Sequence, residues 1–261
     1  MKKMMTLVLA LLTLAAILAG CGASSGSDLA YVQDKGTLIV GITDYAPMDY
    51  KDENGEWTGF DAEFARLVGK ELGVEIEFFI LSDWEQKVFE LDTKNIDAIW
   101  NGMTITEDLL LNTSCSNPYV VNAQVVVMKA DVVANYPDTD SLKGLRFAVE
   151  KASAGQKALD ALGITTYVAL QDQTSAVLEV KAGTADACVV DITLAGAMTG
   201  EGTSYADLAA GISLTSEEYG IAFRKGSDIT EKVNAIMKQF MEDGTLQALA
   251  DKYELTLVKN P

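Results

Sequence analysis

No histidine occurs anywhere in the chain. That absence removes serine–histidine and cysteine–histidine catalysis and every histidine-ligated metal site. Cysteine is almost as scarce. Cys21 stands alone near the N-terminus, and Cys115 and Cys188 share no CxxC spacing. The pair therefore reads as two buried thiols rather than a metal site or a disulfide. No metal and no cofactor are expected. Basic residues are outnumbered, 20 Lys and Arg against 38 Asp and Glu, for a formal charge of −18. Nucleic acid and anionic lipid both need a positive surface, so neither is expected as a partner of the folded part.

Long hydrophobic runs are also missing, with one exception at the N-terminus. Lys2 and Lys3 precede an unbroken apolar run from Met4 to Ala19, which closes on Leu18-Ala19-Gly20-Cys21. A charged start, a short apolar core and small residues at its end describe a cleaved signal. Ending on Gly-Cys resembles a bacterial lipoprotein signal over residues 1–21, with Cys21 lipidated as the new N-terminus. An uncleaved N-terminal anchor is the alternative. Loss of Lys2 and Lys3 takes the charge from −18 to −20. Gly22 to Ser27 is small and polar, and residues 22–35 are expected to form a tether.

The stretch that organises the rest is Asn95 to Leu109, followed by Ser116-Asn-Pro-Tyr119. Ile96 to Trp100 has strand character and stops at Asn101-Gly102, a pair suited to a tight turn. Thr106 then offers a helix cap, with Glu107 and Asp108 in the first turn. Such a corner gathers backbone N–H groups and hydroxyls and can hold a small polar ligand, although any strand-to-helix turn looks similar.

Other elements follow in order. Gly36 to Gly41 reads as a buried strand leading into a loop, Ile42 to Met48, that carries Asp44 and Tyr45. A helix follows Gly59-Phe60-Asp61, with Phe60, Phe64, Leu67, Val68 and Leu72 on one stripe and Gly73 as its stop. Ser82-Asp-Trp-Glu85 predicts a capping box, with Trp84, Val88 and Leu91 turned inward. A similar order then recurs. Gly144 to Glu150 is a strand, Ser153-Ala-Gly-Gln156 a second capping box, and Thr174 or Ser175 the start of another helix. Ala185-Asp-Ala-Cys-Val-Val-Asp191 echoes Ile96-Asp-Ala-Ile-Trp-Asn101. Two similar α/β lobes are implied, with strand C-termini facing a shared crevice. Gln124 to Met128 and Tyr219 to Phe223 suit strands that join them. An amphipathic helix capped by Asp228 and stopped by Gly244 closes the chain.

These pieces, together with Tyr45-Ala-Pro47, Gly102-Met-Thr-Ile-Thr-Glu107, Pro118-Tyr119, Leu142-Lys-Gly144 and Tyr219-Gly-Ile-Ala222, stand in an order that resembles the amino-acid family of bacterial extracellular solute-binding proteins (family 3) of ABC importers. The likeness covers nearly the whole mature chain. It implies an α/β, two-lobed periplasmic-binding-protein-like (type II) fold with a ligand cleft between lobes joined by two crossing strands. Residues 36–122 would open lobe 1, 123–218 form lobe 2, and 219–261 return to lobe 1. The implied partners are a small-molecule ligand (amino acid or amine), an ABC permease with its ATPase, and the membrane through the lipid anchor. A monomer on the extracytoplasmic face of the cell membrane is expected, periplasmic if an outer membrane exists.

The resemblance implies a site of Asp44, Tyr45, Phe60, Trp100, Asn101, Gly102, Thr104, Leu109, Glu150, Ser153, Ala154 and Asp191. Tyr45 and Phe60 would be walls, and Gly102 and Thr104 hydrogen-bonding groups. Asp191 would pair with an ammonium, and the helix opening at Ser153 would meet an anion. Plainer roles exist: Phe60 as a hydrophobic staple, Ser153 as a cap, Glu150 as a solvated edge charge, and Trp84 and Trp100 as core by their helical and strand phase. The family's carboxylate-binding arginine position holds Leu109 here, and no arginine lies between Arg66 and Arg146. That substitution points to an amine-rich ligand, for which Tyr45, Trp84, Trp100, Tyr119, Glu150 and Asp191 would serve. Lys151 is the cation that could stand in for the arginine. An enzyme on the same scaffold, similar to cyclohexadienyl dehydratase with Glu150 as general acid, is the alternative. A ligand sensor is a third reading, and the chain's end at Pro261 without a signalling domain argues against it.

Overall fold

The computed structural model describes residues 26–259. The signal segment, Cys21 and the start of the tether lie outside the described residues. Helix α1 (Asp28–Lys35) leads into β1 (Thr37–Ile42), and a short hairpin of β2 (Tyr50–Lys51) and β3 (Trp57–Thr58) precedes α2 (Phe60–Leu72). Next come β4 (Glu75–Ile80), a 3-10 turn at Trp84–Gln86 running into α3 (Lys87–Asp92), and β5 (Ala98–Thr104). Then follow α4 (Glu107–Asn112), β6 (Thr113–Cys115) and β7 (Val120–Asn122). A second set runs β8 (Gln124–Lys129), β9 (Phe147–Glu150), α5 (Ala154–Ala161), β10 (Tyr167–Leu170) and α6 (Gln173–Ala182). It ends with β11 (Ala187–Asp191), α7 (Ile192–Met198) and β12 (Leu208–Ser213). The chain closes on β13 (Glu217–Arg224), α8 (Ile229–Glu242) and α9 (Thr245–Lys252).

Two sheets result, ordered β4-β1-β5-β13-β6, with β7 also on β13, and β10-β9-β11-β8-β12. The fold is α/β and two-lobed. Both sheets share one plan. The central strand, β5 or β11, has a parallel neighbour on one side, β1 or β9, and an antiparallel one on the other, β13 or β8. The two Asp-Ala segments sit at the same place in each, just before or at the first residue of the central strand. The chain leaves the first sheet after Asn122 and returns between Ser213 and Glu217.

Local chemistry explains how the first lobe is set. Gly59 has φ 115°, and a Cβ there would lie 2.3 Å from the Met48 carbonyl oxygen. That approach lets the Pro47 and Met48 carbonyls accept the first N–H groups of α2, those of Phe60 and Asp61, both at 2.9 Å. The α2 stripe Phe60, Phe64, Val68 and Leu72 is buried against β5 and α8, with Phe64 edge-on to Trp100 at 4.9 Å.

Several expected boundaries shift. The tether is shorter than residues 22–35, because Asp28–Lys35 is helical and buries Val32 completely. Asp228 stands at the N-cap position of α8 but makes no side-chain capping bond there. Its carboxylate instead accepts from Ser27 Oγ and from Leu29 N at 2.8 Å, fixing α1 to the foot of that helix. Asp83, not Ser82, caps the turn at Trp84, and Asp172, not Thr174 or Ser175, caps α6 by accepting from Ser175 N at 2.7 Å. Gly244 ends α8 yet also opens a further helix, α9, whose Leu246, Leu249 and Ala250 are buried. Cys115 and Cys188 are free, on strands of different sheets. Among the described residues no helix is long and apolar enough to cross a membrane.

Candidate ligand site

The C-terminal ends of β1, β5, β9 and β11 converge on one cavity of about 270 Å³ between the sheets. An α/β sheet places ligands there because parallel strands end together and their loops diverge. From the first lobe the lining takes Thr43, Asp44 and Tyr45 after β1, and Asn101 to Thr104 on β5. Trp84, Lys87 and Val88 enter from α3 and the turn before it, and Asp108, Leu109 and Asn112 from α4. The second lobe adds Glu150, Ala152 to Ala154, Lys157, Gln173 and Asp191.

Ten of the twelve expected site residues are thus brought together. Phe60 and Trp100 are not. Phe60 is fully buried, stacked on Tyr119 at 6.0 Å with an interplanar angle of 9°. Trp100 points to the opposite face of its strand from the cleft and packs on Phe64. Tyr119 is likewise core, its hydroxyl donating to both Asp61 oxygens at 2.8 and 2.9 Å. Strand alternation accounts for Trp100, since neighbours on β5 face opposite sides.

The first-lobe wall is largely closed by its own hydrogen bonds. Asn101 accepts from Thr43 N and donates to Thr43 Oγ1 at 3.1 Å. The Gly102 N–H, expected to meet the ligand, donates instead to Asp61 at 2.6 Å. The Thr104 hydroxyl donates to Glu217 at 2.9 Å. Gly102 has φ 54°, and a Cβ there would lie 2.5 Å from the Tyr45 ring. Tyr45 reaches across the cleft, its hydroxyl 2.6 Å from Thr193 Oγ1 and 2.5 Å from the Tyr219 hydroxyl.

The second-lobe wall is charged. Asp191 is buried at the end of β11, and its carboxylate accepts from the side-chain amides of Asn122, Gln173 and, at 2.6 Å, Gln124. Burial still outweighs those bonds and holds it up at about 6. Glu150 is buried beside it and lies well above the usual carboxylate range, through burial first and the neighbouring Asp191 charge second. Asp44 is raised by burial and by Asp172. Ser153 caps α5 as expected, accepting from Gln156 N at 3.1 Å and donating to the Glu150 carbonyl at 2.8 Å. Ala152 has φ 57°, a conformation that disfavours any side chain.

Lys151 does not stand in for the missing arginine within the cavity. It sits at the rim, pairing with Glu85 at 2.5 Å and Asp83 at 3.5 Å. Lys157 pairs across the cleft with Asp108 at 2.6 Å. Lys87 is the cation that sequence reasoning missed. It lines the cavity, with Nζ 3.1 Å from the Trp84 carbonyl and 4.7 Å from the Trp84 ring centre. Burial lowers it to about 8, against the opposing pull of Glu150. Its signal lay in helical spacing: Lys87 stands three residues after Trp84 and four before Leu91, a charge on a stripe expected to turn inward. Gln173, which both donates to Asp191 and accepts from its N–H at 2.8 Å, had no comparable signal.

Comparison with known proteins gives concordant findings. The family model described as bacterial extracellular solute-binding proteins, family 3, matches residues 38–256. The L-cystine-binding protein TcyJ of Escherichia coli (strain K12) is 30% identical over 247 residues, 91% of each chain. The arginine-binding extracellular protein ArtP of Bacillus subtilis (strain 168) is 31% identical over 97% of this chain and 98% of its own. Among solved structures, an ancestral amino-acid-binding protein, a precursor of cyclohexadienyl dehydratase, superposes with a TM-score of 0.79 at 31% identity. That alignment covers 87% of this chain and 99% of the other.

Proposed function

The chain belongs to the bacterial extracellular solute-binding proteins, family 3, and from that premise we propose that it captures an amino acid or related amine and delivers it to the permease of an ABC importer. The observation that carries the reading is Asp191. A carboxylate buried at a strand end, lining a cavity of about 270 Å³ and lacking a cationic partner among the described residues, calls for a ligand ammonium. The cavity has the volume for a ligand of amino-acid size, and Tyr45, Lys151 and Lys157 bridge the lobes over it. Delivery follows from reversible closure: the captured ligand bears on both walls, so the closed form is the one presented to the permease.

Attachment to the outer face of the cell membrane through a lipidated Cys21 fits Lys2-Lys3, the apolar run and Leu18-Ala19-Gly20-Cys21. Metabolic labelling with a radiolabelled fatty acid, lost in Cys21→Ala, tests the anchor. A monomer fits a site contained within one chain. Dehydratase chemistry is a second reading, favoured by one observation: Glu150 is a buried carboxyl on the cavity wall, pushed by burial well above the usual carboxylate range, the direction a general acid requires. Turnover of prephenate or arogenate decides it.

The capture reading is tested by thermal unfolding of the mature protein, refolded to strip carried-over ligand, against amino acids and amines. A ligand at a hundred times its Kd adds about 2.7 kcal/mol, roughly 5–10 °C for a chain of this size. No shift with any of them refutes it.

A further inference from the structure

Resting on the capture reading, we propose that Lys87 is the carboxylate anchor of this site, so that the ligand is an intact amino acid rather than a decarboxylated amine. The position where the family resemblance places an arginine is Leu109, and it contributes no charge. Leu109 packs in the same apolar cluster as Trp84 and Val88, the residues that flank Lys87 on its face. The cation that lines this cavity therefore stands on α3, against whose side chains Leu109 of α4 packs.

Three features set Lys87 apart from the other cavity lysine. Lys157 is bound to Asp108 and Lys151, outside the lining, to Glu85 and Asp83, whereas Lys87 forms no ion pair among the described residues. Its Nζ is positioned by a single hydrogen bond to the Trp84 carbonyl and by the face of that ring, leaving further donors free. The N-terminal end of α5 lines the same cavity from the other lobe, through Ser153 and Ala154. An anion held by Lys87 and that helix end would meet both an ammonium and a helix N-terminus. Glu150 lies close enough to Lys87 for their charges to act on each other, which leaves Asp191 for the ligand ammonium. A carboxylate at one end and an ammonium at the other is the pattern of a zwitterion.

An ammonium differs from a guanidinium in what it selects. Lys87 offers a point charge rather than a planar fork, so it holds a carboxylate without fixing it bidentately. The site consequently depends on Leu109 and Trp84 to orient the rest of the ligand.

The test measures Kd by isothermal titration for the twenty amino acids and L-cystine beside their decarboxylated counterparts, among them arginine with agmatine, lysine with cadaverine and cystine with cystamine. Wild-type protein should bind at least one amino acid and bind its decarboxylated counterpart on the order of a hundredfold or more weaker. Lys87→Met should remove that preference, weakening the acid and leaving the amine unchanged, while Lys87→Arg retains it. In Lys87→Met, adding Leu109→Arg should restore acid binding. A purely structural lysine would weaken acid and amine alike, and unchanged acid binding in Lys87→Met overturns the assignment while leaving capture intact. Wild-type protein that binds an amine as tightly as its parent acid likewise overturns it. A wild type that binds nothing in the panel refutes the capture reading, and this assignment with it.

Discussion

The two lobes share a strand plan but treat their polar groups in opposite ways. In the first lobe, the end of β5 is sealed. Asn101 is bonded to Thr43, the Gly102 N–H to Asp61, and the Thr104 hydroxyl to Glu217. In the second, β9 and β11 end in carboxyls, Glu150 and Asp191, that burial pushes upward and that form no salt bridge among the described residues, although the Lys87 charge pulls Glu150 the other way. One strand end makes a preformed wall; the other supplies unpaired charge. The first-lobe helix α3 completes the pair by supplying Lys87, pushed down by the same burial. Burial thus holds Lys87, Glu150 and Asp191 partly toward neutrality, and the zwitterionic ligand proposed above would restore their charge.

Removing Asp191 should break this contrast most severely. Asp191→Asn keeps the shape but sets an amide NH₂ against either the Gln173 donor or those of Asn122 and Gln124, and it deletes the negative charge proposed to meet the ligand ammonium. The expected loss is about 2–5 kcal/mol, roughly thirtyfold to several thousandfold in Kd, by isothermal titration. Unchanged affinity would place ammonium recognition elsewhere.

Titration should expose the two ends separately. Asp191 must be ionised, so binding falls about tenfold per unit as pH drops below about 6, where it takes up a proton. Lys87 must be protonated, so binding also falls as pH rises above about 8. The signs follow from direction. A raised acid is more protonated when unliganded, and a lowered lysine less protonated, than the bound form requires. In Lys87→Met the alkaline limb due to this lysine should vanish while the acid limb stays.

The sealed wall should fail through folding rather than recognition. Gly102→Ala sets a Cβ 2.5 Å from the Tyr45 ring at φ 54°, and should cost about 1–3 kcal/mol in urea unfolding.

Much of the fold was legible because periodicity and punctuation report burial directly. The α2 stripe from Phe60, the stops at Gly73 and Gly183, and the echo between Asp97-Ala98 and Asp186-Ala187 all mark real elements. What escaped was tertiary. Helix α9 carries a modest apolar stripe straight after a glycine stop, so it looked like a tail. Asp228 has the composition of a cap but is claimed by α1, far away in sequence. At the site, Glu150, Ser153 and Asp191 were readable as polar residues ending strands or opening helices. Phe60 and Trp100 were misplaced because a residue beside a ligand loop can face the opposite side of its element. Lys87 was overlooked because exposed helical lysines are ordinary, and only its phase marked it.

The hinge carries one further consequence. Gln124 and Asn122, where the chain crosses between sheets, donate both to Asp191 and to Glu217, with Gln124 Nε2 at 2.6 and 3.0 Å. Glu217 also accepts from Thr104 and, at 2.8 Å, from Thr215. The residues that choose the ligand and the residues on which the lobes pivot therefore draw on one set of amide protons. Anyone reshaping this protein into a sensor for a different metabolite inherits that sharing. Asp191, Asn122, Gln124, Thr215 and Glu217 form a single unit of redesign, and a new preference written at Asp191 alone also rewrites how readily the two halves part.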